Sequence, residues 1–458
     1  MDINFDKVNI VNIKSSKVKI KEKEYEVIKT PHPHILVTSK KNLHGWWPGK
    51  RECTSERLLI NPYNGCFFGC FFCYSYAFWG YFDLFYRKKI ITVFNDYHKE
   101  VSKQLDSVNF ATCGYLSPVT DPFQPLENKY RLSEKIIYEF VRRNIPIEFI
   151  TKSVIPDSVI ELIKRQKHSF GQVSVLTLNQ ALYKRIIPRG VPLSKLLDNF
   201  ARLSKNGIFS VCRIDPILPY ITDDLEDIYR LIKRVKKLGV THIVVSCLDI
   251  PFKLKNSIIE FIGSLNSKLR AKYIDLYTDK ISNGLHADIE YRTNLFKSIR
   301  EICNCLGVTF ALCMEFRKVR DRNEAKDKDT KYKNKDRNEH NSRHYARSES
   351  SDEDEDKDKD KGKSKVTINM AMIEGLNKYF MTSYNCEGID IPVYKRVLSA
   401  RESANKSPAE AGWFEPMEEC LATGKGNCLN CKEKACGIKP LISINASQNP
   451  GIDICSYR

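Results

Sequence analysis

The chain has 458 residues, 42% of them hydrophobic, with a net charge of +18 and 16 cysteines. That length suits two or three domains with a sizeable core, and no run of about eighteen apolar residues is present to span a membrane. The opening "MDINFDKVNIVNIKSSKVKIKEKEYEVIK" alternates in charge and has no apolar block of secretory-signal length. The expectation is a cytoplasmic protein, where clustered cysteines hold metals or do redox chemistry more often than they form disulfides.

Residues 1–56 read as an N-terminal extension, partly strand. Its His32, His34 and His44 are either ligands or plain surface residues. The Trp pair of "GWWPGK" (45–50) either stacks bases, as in single-strand binders, or closes a hydrophobic edge.

From residue 57 to 316, short β-rich runs alternate with amphipathic segments. The runs are 57–63, 109–117, 146–153, 171–178, 209–219 and 241–250. Helical periodicity lies near 95–106, 131–143, 156–166, 192–206 and 223–238, with apolar residues at intervals of three and four. Such alternation with continuous apolar strands predicts an α/β fold: a parallel sheet covered by helices. Six units fit a partial (β/α)6 barrel, and a flat doubly wound sheet is the rival. In both, active groups collect at the C-terminal ends of the strands.

The stretch 317–365 carries 17 Lys/Arg and 14 Asp/Glu and almost no apolar residue. It cannot bury enough surface to offset its ordering entropy and reads as a disordered charged linker. It contributes only +3 to the charge, which leaves +15 on the remaining chain. That excess suits a polyanion such as nucleic acid, or else reflects a generally basic proteome. Residues 366–458 read as a small cysteine-rich metal-binding domain. There Cys420, Cys428, Cys431 and Cys436, spaced C-x7-C-x2-C-x4-C, offer four thiolates for a tetrahedral zinc or a [4Fe–4S] cluster, with Cys386 and Cys455 as substitutes. Cys113, Cys303, Cys305 and Cys313 fall in or beside apolar runs and read as core.

The most informative stretch is "NPYNGCFFGCFFCYSY" (61–76), directly after the first predicted strand. Cys66, Cys70 and Cys73 are spaced C-x3-C-x2-C. Three thiolates can hold three irons of a [4Fe–4S] cluster and leave the fourth open. Zinc would want a fourth ligand, and none lies nearby in sequence. The intervening phenylalanines would keep water away and tune the potential.

"CFFGCFFC", with Phe72 as the aromatic, resembles the radical S-adenosylmethionine (SAM) superfamily signature. In order, "TDPFQPLE" (120–127), "TKS" (151–153), "SVLTL" (174–178), "IPR" (187–189) and "DPILP" (215–219) extend the likeness over about 57–250 to the spore photoproduct lyase-like branch. The resemblance implies a [4Fe–4S] cluster whose open iron takes the amino and carboxylate groups of SAM, an electron donor of ferredoxin or flavodoxin type, and a 5′-deoxyadenosyl radical that abstracts hydrogen. It also implies roles for strand-end residues: Thr120, Asp121, Lys152, Ser174, Arg189 and Arg213 toward SAM, with Lys152 facing its carboxylate. Tyr74 matches a tyrosine of the lyase and is a catalytic candidate. The likeness departs at "SPVTD" (117–121), where Pro118 and Val119 stand in place of the lyase's hydrogen-donating cysteine, so it points to a different radical reaction. The last four cysteines loosely resemble auxiliary-cluster extensions of such enzymes.

Three functional classes follow: a radical SAM enzyme on DNA or RNA, for repair or modification; a radical SAM enzyme modifying protein or peptide with an auxiliary cluster; and a non-enzymatic, zinc-dependent nucleic-acid-binding protein.

Overall fold

The computed structural model describes residues 15–20, 23–30, 32–45, 57–78, 82–108, 110–111, 113–281, 283–313, 315–319, 366–369, 389, 391, 394–397 and 413–416. Its centre is a parallel sheet of 7 strands. These are β1 (Arg57–Ile60), β2 (Cys113–Leu116), β3 (Ile147–Thr151), β4 (Phe170–Ser174), β5 (Ser210–Ile217), β6 (His242–Cys247) and β7 (Thr309–Leu312), hydrogen-bonded in chain order. The sheet stays open: β7 forms one edge, and His44–Gly45 pairs antiparallel beyond β1. Five of the first six strands fall inside the predicted runs, and β4 starts one residue before its run. The seventh is an addition, from an apolar run after Gly307, whose left-handed φ of +62° ends the preceding helix.

Helices join successive strands: α1 (Tyr97–Asp106), α2 (Leu132–Val141), α3 (Asp157–Ile163), α4 (Leu193–Lys205), α5 (Leu225–Lys237) and α6 (Ile289–Leu306). α5 shows why the periodicity was legible. The Asp224 side chain accepts from the Asp227 N–H and caps it, and Ile228, Leu231, Ile232 and Val235 make one buried stripe. Among the described residues no helix is long and apolar enough to cross a membrane.

Strand alternation sorts the side chains. One face packs against the helices through Leu58, Phe149, Val173, Ile214 and Val245. The other face is apolar at the N-terminal ends of the strands, where Cys113, Phe170, Val211, Val244 and Ala311 cluster with Ile391. Level with that layer, the same face also carries polar residues. Arg57 pairs with Glu148 at 3.0 Å, and Glu148 Oε2 accepts from Gln172 Nε2 at 2.7 Å. Gln172 Oε1 accepts from Arg213 at 3.0 Å, and Arg213 donates to Asp215 Oδ2 at 2.6 Å. The Ser246 hydroxyl donates to the other oxygen of Asp215. A buried ionic row thus climbs toward the C-terminal ends of the strands.

A second sheet orders Ser15–Ile20, Lys23–Ile28, His34–Val37, Ile91–Phe94 and Tyr63–Asn64. The expected strands of the N-terminal extension are therefore present, and they flank the cysteine loop. The Trp pair of "GWWPGK" and the His44 side chain lie outside the described residues. Val366–Asn369 pairs with Phe316–Val319, so the first residues of the charged segment, Arg317 to Val319, are strand. Residues 320–365 lie outside the described set. Tyr394–Arg396 and Phe414–Pro416 form a sheet with Phe110–Ala111. Tyr394 and Phe414 are buried in the main core, with the Tyr394 hydroxyl 2.7 Å from His168 Nδ1. Cys113 and Cys303 are buried as expected and Cys313 is half-buried, but Cys305 is exposed on α6, a correction to its reading as core.

Candidate active site

The loop after β1 is shaped by two glycines. Gly65 has φ +97°, and a Cβ there would stand 2.7 Å from the Phe85 ring; Gly69 has φ +71°, and its Cβ would stand 2.6 Å from an Arg189 nitrogen. Only glycine holds both turns without strain. Between and after them come Cys66, Cys70 and Cys73, all half-buried. The Cys73 N–H donates to the Cys70 carbonyl at 3.2 Å, and a short 3-10 turn, Tyr74–Ala77, follows.

Burial pushes all three thiols up. Cys70 reaches about 12, held back chiefly by the Lys152 ammonium. Cys66 rises further, through burial and then Asp121, with Cys70 and Cys73 adding to it. Cys73 rises less, because Ser75 Oγ lies 2.9 Å from its sulfur. The three thiols act on one another electrostatically, and negative charge there needs a compensating cation. Among the described residues no three His, Cys, Asp or Glu side chains are gathered to share one metal ion. A cluster needs less, one thiolate per iron.

Aromatic rings wall the loop. Phe68 and Phe72 are buried, Phe71 stacks on Phe261 with centroids 4.0 Å apart, and Phe67 lies between His32 at 3.7 Å and the Arg189 guanidinium at 4.6 Å. In Gly69→Ala the left-handed conformation costs about 1–3 kcal/mol, and the new methyl displaces Arg189. The expected result is less iron retained per chain after anaerobic reconstitution; iron and unfolding midpoint both equal to wild type would show that the loop does not need this glycine.

The strand-end residues named from the sequence stand in differing surroundings. Asp121 is buried, and burial raises its carboxyl to about 6. It accepts from the Lys152 N–H at 2.6 Å, the Phe123 N–H at 2.9 Å and the Thr151 hydroxyl at 3.0 Å. Its oxygens are engaged in locking the ends of β2 and β3 together, which fixes Lys152. The Lys152 ammonium acts on Cys70, Cys73 and Asp215, so it sits between the loop and the top of the ionic row. Ser174 ends β4, buried and in register with Arg213. Arg213 donates to Asp215 and Gln172 and orients Asp215, whose side chain is 28% exposed. Arg189 packs on the cysteine loop. Tyr74 is 47% exposed and its hydroxyl donates to the Pro118 carbonyl at 2.7 Å.

The expected Thr120 is joined by two residues that were not anticipated: buried Thr120 Oγ1, Asn61 Nδ2 and the Tyr183 hydroxyl have no hydrogen-bond partner among the described residues. Tyr183 feels both Cys70 and Asp121. Orphaned polar atoms beside one loop fit a bound polar molecule that would satisfy them. Asp215, Gln172 and Glu148 were also missed, although polar residues inside apolar strands were a readable signal. Cys420, Cys428, Cys431 and Cys436 lie outside the described residues.

Comparisons with known proteins find the following likenesses. Residues 60–232 match the family model described as Radical SAM superfamily. A relative named Radical SAM Nalpha-GlyT isomerase, from Pseudomonas phage M6, is 30% identical over 299 residues, 62% of this chain and 61% of that protein. The chain thus spans about three fifths of that relative's length. An uncharacterized protein of Methanocaldococcus jannaschii is 27% identical over 192 residues, 39% of this chain and 66% of that one. A structure of spore photoproduct lyase complexed with dinucleoside spore photoproduct aligns over 61% of this chain and 82% of its own, at 12% identity and a TM-score of 0.47. The family match begins at the end of β1, takes in the three-cysteine loop and runs into α5, so over that stretch the chain is similar to the radical SAM superfamily.

Proposed function

We propose that the chain is a radical SAM enzyme acting on a nucleic acid, in repair or modification. The observation that carries the first half is the convergence of Cys66, Cys70 and Cys73 at the C-terminal ends of the strands, within reach of the Lys152 ammonium. A [4Fe–4S] cluster with SAM supplies one electron and a 5′-deoxyadenosyl radical able to abstract hydrogen from carbon. The chain's own residues do the rest. Three thiolates would each hold one iron. Lys152, fixed by Asp121, would face the SAM carboxylate, and Thr120, Asn61 and Tyr183 would satisfy its polar atoms. Phe68 and Phe72 exclude water from the loop.

The second half rests on the +15 charge outside the 317–365 segment and on the branch resemblance. The phage relative, named an isomerase, supports a reaction that rearranges its substrate and conserves its atoms. Incubating the reduced, reconstituted protein with SAM and DNA or RNA should yield 5′-deoxyadenosine and a nucleoside of altered chromatographic retention, at unchanged mass where the reaction is a rearrangement. A mass change in protein or peptide alone would favour the second class, and absence of iron and sulfide the third.

Lys152 gives a sharper test. A charge-assisted contact is worth about 1.5–3 kcal/mol, or roughly ten- to a hundredfold in binding. Lys152→Ala should weaken SAM binding by that factor in a calorimetric titration, with cluster iron unchanged. Equal affinity would reassign Lys152 to holding the loop.

A further inference from the structure

The outer wall of the cysteine loop is built by a segment that the chemistry at the mouth does not use. Phe82–Arg87 forms a π-helical turn whose Phe85 ring closes on Gly65. Tyr76 lies behind the cysteines, buried, and its phenol is within electrostatic reach of Cys73, Cys70 and Cys66. Its ring meets Phe85 at 4.9 Å and Tyr86 at 5.1 Å. Tyr86 is half-buried, and the Lys89 ammonium sits 4.7 Å from its centroid and 5.6 Å from that of Tyr76. Two packed rings therefore lead from the three thiols to the surface under a cation. Arg87, Lys88 and Lys89 are consecutive and exposed there, and Arg189 extends the positive field toward Lys89 and His32.

We propose that this face, Tyr86 with Lys88 and Lys89, is where an acidic one-electron carrier protein docks to reduce the cluster held by Cys66, Cys70 and Cys73. The inference rests on the cluster reading above. One electron leaves the carrier's cofactor and one enters the cluster; no bond breaks, and the rings serve only as packed medium. Charge complementarity favours a carrier of opposite sign and raises the encounter rate, increasingly so at low salt. The face is carried by the side sheet and its turn rather than by the strand ends, so a carrier here leaves the mouth of the barrel to the substrate. That arrangement favours a protein carrier over nucleic acid as the occupant.

The test uses the full-length reconstituted protein with reduced flavodoxin as the probe. Stopped-flow bleaching of the cluster absorbance gives the reduction rate, and calorimetry on the oxidised pair gives affinity. Lys88→Glu/Lys89→Glu should lower both at least tenfold at low ionic strength, and the wild-type rate should fall with added salt. Reduction by dithionite and affinity for SAM should not change. Lys89 holds φ +57°, so Lys88→Glu alone, with a several-fold loss expected, keeps the test open should the double variant misfold. Flavodoxin affinity and rate equal to wild type in the variants would overturn the proposal. So would loss of oligonucleotide binding with flavodoxin reduction intact, which would mark the face as a nucleic-acid surface. Failure of the cluster reading shows separately, as missing iron or a silent dithionite control.

Discussion

Replacing Cys66, Cys70 and Cys73 together by alanine is expected to abolish the SAM-responsive [4Fe–4S]+ EPR signal and all reductive cleavage of SAM. The chain itself should stay folded. The three residues are half-buried in a loop beyond the end of β1, and the sheet and its helices pack without them. Burial already holds their thiols well in the protonated range, so removing them costs the apo fold little. The cost falls on the metal: without thiolates nothing in the loop bears charge to hold iron. Cys420, Cys428, Cys431 and Cys436 are untouched, so any metal they hold should persist while the signal that shifts with SAM is lost. 5′-Deoxyadenosine formed by this variant at the wild-type rate would remove the basis for the proposed activity.

How much of this could be read from residues alone depends on the range of the interaction. Strand and helix positions were legible because apolar periodicity is local: α4 and α5 were placed within a residue or two at each end. The cysteine loop was legible because its three thiols fall within eight residues. β7 escaped because a four-residue apolar run gives little periodicity, although Gly307 marked where α6 stops. The partners of the loop were not legible at all. His32 reaches Phe67 from the side sheet and Arg189 reaches it from the chain after β4, contacts that only the closed fold creates. The same holds for Asp121. Its position after β2 was plain, but its work on the backbone of Lys152 depends on β2 and β3 lying side by side.

The ionic row inside the sheet carries the second large expectation. Glu148 is fully buried between Arg57 at 3.0 Å and Gln172 at 2.7 Å, and Arg57 itself is buried. Glu148→Leu removes one acceptor from a guanidinium and an amide in a region of low dielectric. Breaking a buried pair from one side costs about 3–5 kcal/mol, which should lower the thermal midpoint by roughly 6–20 °C at a few degrees per kcal/mol. Replacing both charges, Arg57→Met with Glu148→Leu, should recover most of that loss, since two well-packed apolar residues carry no desolvation penalty. The pair therefore contributes little net stability, and its value lies elsewhere. It sets Gln172, Gln172 sets Arg213, and Arg213 aims Asp215 at the mouth beside Lys152. The double variant is expected to be nearly as stable as the native chain but to bind SAM more weakly. Stability as low as in Glu148→Leu would show instead that the loss came from packing, and native SAM affinity would show that Asp215 is aimed without help from the row below it.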